Sequence, residues 1–399
     1  GMHLLSPAGT HVAFLPFDND RHAIFLDGKY YSASKDILSN FWFEYNRTGY
    51  TASNFDLLYN RPDTLLQVLQ STNEVYNNLV SATIEKRYYY AKTDPMAALS
   101  PGAAPVVDIV GEHALPTSTE EPMLHLPVYV SQLEAPGELH VKVNGCAVFG
   151  KNGLPVKNDS TSLLQIALSE GQNAIEVFAT GEDGLNSLQK TVRIFHDKKS
   201  EKPALHFIPI SVSSYKDARF DLDFAAKDGR DLQQLFSQYE KKYDVHLEDS
   251  LFNSRATREN ILAIKDKLLK TSVDDVVVLF VSGHGQLDKN YEWWFATHDM
   301  DFEDPSKNGI AYHELESLLD SIPARKKLLL LDACHSGQID PALMAQADDG
   351  ETSTSEGQLL TQAYEEISLE SVLQASPQES FDLMQELFVN LNTGPGAHV

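Results

Sequence analysis

The chain has 399 residues, of which 42% are hydrophobic and 22% are charged, and its formal net charge is −25. A chain of this length and composition predicts two or three globular domains. The acidic balance argues against nucleic acid and anionic membrane surfaces as partners. Because the sequence contains neither a long apolar run nor a secretion-signal pattern, we expect a cytoplasmic protein without a membrane span.

Residues 1–104 combine short strand patterns with a helical connector. Pro62 lies in the first turn of a stretch that we expect to be mostly helical from Thr64 to Tyr89. A segment rich in Pro, Gly and Ala at 97–105 then predicts a linker to the next domain. Short strands are predicted at 11–17, 23–26, 30–33 and 41–44.

Residues 105–197 change to short alternating strands, which turn signals such as Asn144-Gly145 separate. This pattern is typical of an immunoglobulin-like β-sandwich. The function expected of such a domain is that of a spacer or of a docking module for protein partners. The strands are predicted at 106–110, 126–130, 139–143, 163–168, 174–178 and 192–195.

Residues 203–399 alternate strand and helix patterns, and two apolar runs dominate them. Val276–Gly285 reads VVVLFVSGHG, and residues 326–337 read KKLLLLDACHSG. Uninterrupted apolar runs predict strands that are buried on both faces, as in a parallel sheet with helices on either side. Because working groups collect at the carboxyl edge of such sheets, the polar residues that end the two runs are candidates for a site.

The residue types at these strand ends indicate nucleophilic catalysis. Side chains two residues apart in a strand point the same way, so Ser282 accompanies His284. Asp332 accompanies Cys334 for the same reason. If the strands are neighbours, His284 faces Cys334 and can act as base for a thiol nucleophile. The backbone N–H groups of Gly285 and Cys334 could then bind the developing oxyanion.

SGHG at 282–285 and DACHSG at 332–337 resemble the two catalytic signatures of the caspase/metacaspase superfamily of cysteine peptidases. The resemblance covers about half of the chain and implies a parallel-rich sheet flanked by helices. It also implies that Cys334 is the nucleophile and that His284 is the base. In this family a segment like 393–399 runs into a further strand, so we expect the domain to be truncated at its C-terminus.

The stretch from Ile24 through Phe55–Leu69 resembles the junction at which a WD-repeat propeller precedes a caspase-like domain in some bacterial proteins. The resemblance implies that residues 1–45 are a remnant of the last propeller blade. The fold class expected for the whole chain is therefore multidomain. An N-terminal β and helical segment comes first, then an all-β sandwich, then an α/β caspase-like domain.

The resemblance also bears on substrate choice. Caspases hold an aspartate with arginines, whereas metacaspases hold Arg or Lys with acidic residues. Asp228, Ser282 and Asp332 occupy the positions of the metacaspase pocket, which predicts a peptide or protein substrate with a basic residue at the cleavage site. Arg219 is a nearby basic residue that could serve a caspase-like pocket, but its spacing from Asp228 is poor. A peptidase that cleaves after Asp and a catalytically latent scaffold remain as alternatives.

We expect no cofactor. Spacings typical of zinc or EF-hand sites are absent from the sequence, so no metal is predicted. Metacaspases often need calcium, and Asp299 lies where one of the calcium-binding aspartates would be. Tyr312 and His313 stand where an acidic pair is expected, which disfavours calcium activation. The acidic stretch that contains Asp299, Asp301 and Asp304 is then expected to be a solvated loop.

Overall fold

The computed structural model describes residues 2–5, 9–17, 22–33, 37–38, 41–45, 47–91, 104–197, 202–247, 249–288 and 292–334. They form a mixed α/β structure with several separate sheets, as the fold class predicts in outline. No helix in these ranges is long and apolar enough to cross a bilayer. The expected truncation at the C-terminus and the last part of the DACHSG motif lie outside the described residues.

The N-terminal part is a small antiparallel sheet with a hairpin and three helices. Its elements are β1 (Met2–Leu5), β2 (His11–Pro16), β3 (His22–Leu26), β4 (Tyr30–Ala33), β5 (Trp42–Tyr45), β6 (Thr48–Thr51), α1 (Asp56–Tyr59), α2 (Pro62–Val68) and α3 (Glu74–Ala91). The strands β1 to β4 pair in chain order, and β5 pairs with β6. Tyr31 Oη and Arg87 both donate to the carboxylate of Asp56, which joins the sheet to the helices.

The stretch from Thr64 to Tyr89 is mostly helical, as expected, but it consists of two helices because the chain breaks between α2 and α3. Gln70 has a φ of 56°, a left-handed conformation that ends a helix. Asn73 Oδ1 then accepts a hydrogen bond from Tyr76 N at 3.1 Å, as a residue that caps a helix N-terminus does.

The middle part consists of two sheets with one common core. Its strands are β7 (Val106–Ile109), β8 (Ser118–Thr119), β9 (Met123–Ser131), β10 (Gly137–Val143), β11 (Cys146–Ala147), β12 (Leu154–Val156), β13 (Ser160–Ala167), β14 (Gly171–Thr180) and β15 (Lys190–His196). One sheet has the order β11-β10-β14-β15-β8 with β12 beside β10, and the other has the order β13-β9-β7. Leu126 and Val128 of one sheet and Ile175 and Val177 of the other are buried in the same cluster.

The C-terminal part is a sheet covered by helices on both faces. Its elements are β16 (Ala204–Ser211), α4 (Ala225–Ser237), β17 (Asp244–His246), β18 (Leu251–Phe252), α5 (Arg258–Leu268), β19 (Val276–Leu287), β20 (Trp293–Phe295), β21 (Ile310–Ala311), α6 (Tyr312–Leu319) and β22 (Lys326–Cys334). Strand β19 is central, since it runs parallel to β16 on one side and to β22 on the other. The prediction that the two apolar runs form neighbouring strands is confirmed.

The side chains of β19 alternate between two apolar clusters, which explains its continuous hydrophobic sequence. Val277, Leu279 and Val281 pack in a cluster that includes residues of α5 and α6. Val278 and Phe280 pack in a second cluster with side chains of α4. A strand that is buried on both faces needs apolar residues at every position, and polar residues therefore begin only where its cover ends.

The two-sheet module is joined to the C-terminal sheet through Arg325, which directly precedes β22. Arg325 Nη1 donates to Ser169 Oγ at 2.7 Å, and Arg325 Nη2 donates to Ala167 O. Lys151 N donates to Asp320 Oδ1 at 2.9 Å in the same contact area. Burial lowers the pKa of Arg325 to about 10, so its guanidinium stays charged at neutral pH. The module therefore holds the start of the strand that ends at the predicted nucleophile.

Candidate active site

The positions of the predicted nucleophile and base lie side by side at the carboxyl edge of the sheet. The parallel register of β19 and β22 extends from Val276 opposite Lys326 to His284 opposite Cys334. Neighbouring strands are about 4.8 Å apart, so residues at paired positions are within reach of each other. The sequence prediction that these two strand ends meet is confirmed at the level of the backbone register.

The imidazole of His284 is held in one orientation by a backbone carbonyl. His284 Nε2 lies 3.0 Å from Phe220 O, which can only accept a hydrogen bond. Nε2 therefore carries the proton in the neutral ring, and Nδ1 is left with a lone pair. Burial lowers the pKa of His284, although the bond to Phe220 O opposes this shift. The ring is thus neutral near pH 7, which is the state that a general base requires.

The loop between β16 and α4 brings the Phe220 carbonyl to this place. Tyr215 N donates to Asp221 Oδ1 at 2.7 Å, and Leu222 N donates to Ser213 O at 2.8 Å. These two bonds close the loop on itself. Phe220, which ends a short 3₁₀ turn in this loop, is buried with its carbonyl directed at the imidazole.

Three aromatic rings surround the imidazole of His284. The ring centroids of Tyr215, Phe302 and Phe220 lie 5.3, 5.9 and 6.4 Å from that of His284. Phe220 and Phe302 stack at 3.7 Å. Tyr215 Oη also accepts a hydrogen bond of 2.9 Å from the backbone N–H of His284. The rings exclude water from one side of the imidazole and fix both its ring and its backbone.

Gly283 is needed for this close approach. Its φ of 153° lies in a region that side chains rarely adopt. A Cβ at this position would lie 2.9 Å from Tyr215 Oη and 3.1 Å from Phe295 Cε2. The glycine between Ser282 and His284 therefore leaves room for the aromatic rings behind the imidazole of His284.

Gly285, the predicted oxyanion donor, is paired with Phe295 of the antiparallel strand β20. The adjacent hydrogen bond runs from Ala296 N to His284 O at 2.9 Å. A residue pair beside such a bond is a non-hydrogen-bonded pair, whose N–H groups point away from the partner strand. The N–H of Gly285 is therefore not used by β20.

The predicted pocket residues lie on two neighbouring strands and on the first turn of α4. Ser282 and Asp332 are paired in register, and Ser282 Oγ donates to Asp332 Oδ2 at 3.2 Å. Ser282 is 2% exposed, whereas Asp332 is exposed and Asp228 is half-buried. Within the described ranges, the carboxylates of Asp228 and Asp332 make no ion pair with a basic side chain. Arg219 is exposed and bonds to Asp217 at 3.0 and 3.1 Å.

Residues 208–385 match the family model of the caspase domain. The chain thus contains a caspase-like domain, and such domains belong to a family of cysteine peptidases. The match includes both strand ends of the candidate site. The N-terminal sheet and the two-sheet module lie outside the match. No curated protein matches the chain.

Solved structures that resemble the chain do so only in part. A protein from Geobacter sulfurreducens is 19% identical over 36% of this chain and 55% of its own, with a TM-score of 0.28. The chitinase ChiW from Paenibacillus sp. is 13% identical over 46% of this chain and 17% of its own, with a TM-score of 0.16. A polysaccharide deacetylase from Bacillus cereus is 11% identical over 58% of this chain and 69% of its own, with a TM-score of 0.14. Superpositions this partial carry no argument about function.

The acidic loop of the caspase-like domain is occupied by the protein's own groups. Lys307 Nζ lies 3.3 Å from Asp301 and 3.4 Å from Asp304. Asp299 accepts a hydrogen bond of 3.1 Å from Asn308 Nδ2. In the part of the chain that the structure describes, no three metal-ligating side chains gather in one place. That calcium does not activate the domain stays a prediction.

Two site residues, Phe220 and Tyr215, were not found from the sequence. Phe220 acts through its carbonyl oxygen, which every residue has, so its identity carries no signal. Tyr215 acts as an acceptor for the backbone of a residue that is remote in sequence.

Cys146 lies outside the candidate site. Its Sγ donates to Arg325 O at 2.9 Å, and burial raises the pKa of its thiol.

Proposed function

We propose that the chain is a cysteine endopeptidase that cleaves after Arg or Lys, with Cys334 as nucleophile and His284 as base. The observation that carries this proposal is the register that pairs His284 with Cys334. The bond between His284 Nε2 and Phe220 O supports it, because it leaves Nδ1 as the ring atom that can accept a proton.

The reaction would proceed in two stages. Nδ1 of His284 takes the proton of the Cys334 thiol, and the thiolate attacks the carbonyl carbon of the scissile peptide bond. The negative charge that develops on the carbonyl oxygen is held by the N–H groups of Gly285 and Cys334. The protonated imidazole then gives its proton to the leaving amine, and a thioester with Cys334 forms. Water, deprotonated by the same imidazole, hydrolyses the thioester and restores the thiol.

The expected magnitudes make both contributions measurable. General acid–base catalysis by one side chain contributes roughly 10²–10⁴ in rate. Loss of one oxyanion donor costs about 10²–10³ in kcat. Since Gly285 can contribute only its backbone, the His284 contribution is the one that mutation tests directly.

The preference for a basic residue rests on two carboxylates at the site. Asp332 is exposed and Asp228 is half-buried on the first turn of α4. Neither makes an ion pair with a basic side chain among the described residues, so a guanidinium or ammonium group of the substrate would supply a positive charge in direct contact with them. Arg219 is already bonded to Asp217, which argues against an arginine pocket for a substrate aspartate.

We further propose that residues 105–197 form an immunoglobulin-like docking domain and that residues 1–45 are a propeller remnant in a bacterial, cytoplasmic protein. The support for the first is the pair of sheets with one common core. The support for the second is the four-stranded antiparallel sheet in chain order. Proteins that bind through the sandwich would then control access of the peptidase to its substrates.

A panel of fluorogenic peptides that differ only in the residue before the cleaved bond tests the proposal. We expect turnover of Arg and Lys peptides, little turnover of the Asp peptide, and loss of all activity in Cys334→Ala. Preferential turnover of the Asp peptide would contradict the basic specificity. No turnover of any peptide, together with no effect of Cys334→Ala on peptide binding, would favour a latent scaffold.

A further inference from the structure

Ser211, the last residue of β16, has a buried hydroxyl that lacks a partner. The residue is 0% exposed, and its Oγ makes no hydrogen bond with any described group. A buried hydroxyl without a partner is destabilising, so such atoms are rare in folded proteins. Because this hydroxyl lies beside a candidate pocket, we expect it to gain a hydrogen-bond partner when a substrate side chain binds there.

Ser211 belongs to a row of three polar residues at the end of the sheet. It is paired in register with Ser282, and Ser282 is paired with Asp332. Side chains at alternate positions of a strand share a face. Ser211 therefore lies on the face of Phe207 and Ser282 on the face of Phe280, and both phenylalanines pack in the cluster under α4. The two hydroxyls are thus neighbours on one face.

Helix α4 lies directly on this row because residue 229 is a glycine. A Cβ on Gly229 would lie 2.5 Å from Ser211 Oγ and 2.9 Å from Phe252 Cε1. Asp228 directly precedes this glycine in the first turn of α4. The helix therefore covers Ser211, and its first turn carries Asp228, the third residue predicted for the pocket.

We propose that Ser211 accepts the hydroxyl hydrogen of Ser282 when a basic side chain enters the pocket, an inference that rests on the proposed function. Ser282 donates its single hydrogen to Asp332. A guanidinium or ammonium group brings only donors and therefore competes for the same carboxylate oxygen. Rotation of the Ser282 hydroxyl towards Ser211 releases that oxygen and turns the Ser282 lone pairs to the incoming cation.

Ser211 is on this account a positioning residue that acts through Ser282 and sets the affinity for the basic group. Its effect should fall on binding, since it is remote from the bond that breaks. Its removal should also relieve the folded protein of an unsatisfied buried oxygen. Binding and stability should therefore change in opposite directions, which a merely structural serine would not show.

The test compares Ser211→Ala with the wild-type chain. We expect the KM for an Arg peptide to rise about threefold to tenfold, with kcat changed by less than about twofold. The affinity for agmatine, a guanidinium probe without a scissile bond, should fall by the same factor in the Cys334→Ala background. The melting temperature should be equal to or higher than that of the wild type. These magnitudes correspond to one hydrogen bond between neutral groups.

Ser250→Ala is the matched control. Ser250 is also buried, but its hydroxyl donates to Leu247 O at 2.7 Å and accepts from Gln233 Nε2 at 2.9 Å. This variant should lose stability and keep the wild-type KM.

Three results would overturn the inference. If the wild type cleaves basic peptides but Ser211→Ala leaves KM and agmatine affinity unchanged, the role of Ser211 is wrong while the proposed function stands. A variant that loses stability and kcat together would make Ser211 a structural residue. If the wild type neither cleaves basic peptides nor binds agmatine, both the basic specificity and the role of Ser211 fail.

Discussion

Replacement of Tyr215 by Phe removes one oxygen atom from behind the proposed base and keeps the ring. That oxygen accepts the 2.9 Å hydrogen bond from the backbone N–H of His284. Tyr215 is 4% exposed, so its hydroxyl occupies a position that bulk water does not reach. A buried donor left without a partner costs about 1–3 kcal/mol, and we expect the free energy of unfolding to fall by that amount.

The same change should also lower kcat/KM, because the lost hydrogen bond fixes the strand end that carries the imidazole. A displacement that weakens transition-state stabilisation by about 1.4 kcal/mol lowers kcat/KM tenfold. Urea unfolding and steady-state kinetics on an Arg peptide measure the two effects in one preparation. Tyr239→Phe, at an exposed tyrosine of the same domain, is the control and should change stability by less than about 0.5 kcal/mol. Wild-type stability and activity in Tyr215→Phe would refute the role given to this bond.

Two further outcomes are expected. Arg325→Ala should lower the free energy of unfolding by about 2–4 kcal/mol, because hydrogen bonds from a charged group to Ser169 and Ala167 are lost. Urea unfolding measures this change, and an unchanged midpoint would contradict the role of Arg325 in joining the two-sheet module to the C-terminal sheet. Burial lowers the pKa of His284 below its ordinary 6.5, so the acid limb of the pH dependence of kcat/KM should lie below pH 6.5. Because the unfolded state binds the proton of His284 at a higher pH than the folded state does, the free energy of unfolding should fall as the pH falls below 6.5. Urea unfolding at a series of pH values measures this decrease. An acid limb above pH 6.5 would contradict that shift.

The strands that carry the site could be predicted because their sequences have one physical explanation. Val276–Val281 and Leu328–Leu331 are apolar at every position, which only burial on both faces requires. His284 was expected to face Cys334 if the two strands are neighbours, and the resemblance of their motifs to one family implied the roles of the two residues. The register then bears out the expected adjacency of Ser282 and Asp332.

What the sequence did not predict depends on contacts between distant residues or on very short elements. Phe220 O contacts His284 across 64 positions, and its carbonyl leaves no trace in the residue type. The strands β20 and β21 have three and two residues, which is too short for alternation to be recognised. The role of Arg325 depends on the contact between the two-sheet module and the C-terminal sheet, so no local sequence pattern predicts it.

The central claim is that the thiol of Cys334 is activated by His284 and lies beside a pocket for a basic side chain. Reaction of the full chain with a peptide chloromethyl ketone that ends in Arg, followed by peptide mapping in a mass spectrometer, tests it most directly. We expect a covalent adduct on Cys334, and the rate of its formation should be at least a hundredfold lower in His284→Ala. No adduct should form on the buried thiol of Cys146. Equal labelling of Cys334 with and without His284, or faster labelling by a ketone that ends in Asp, would contradict the account.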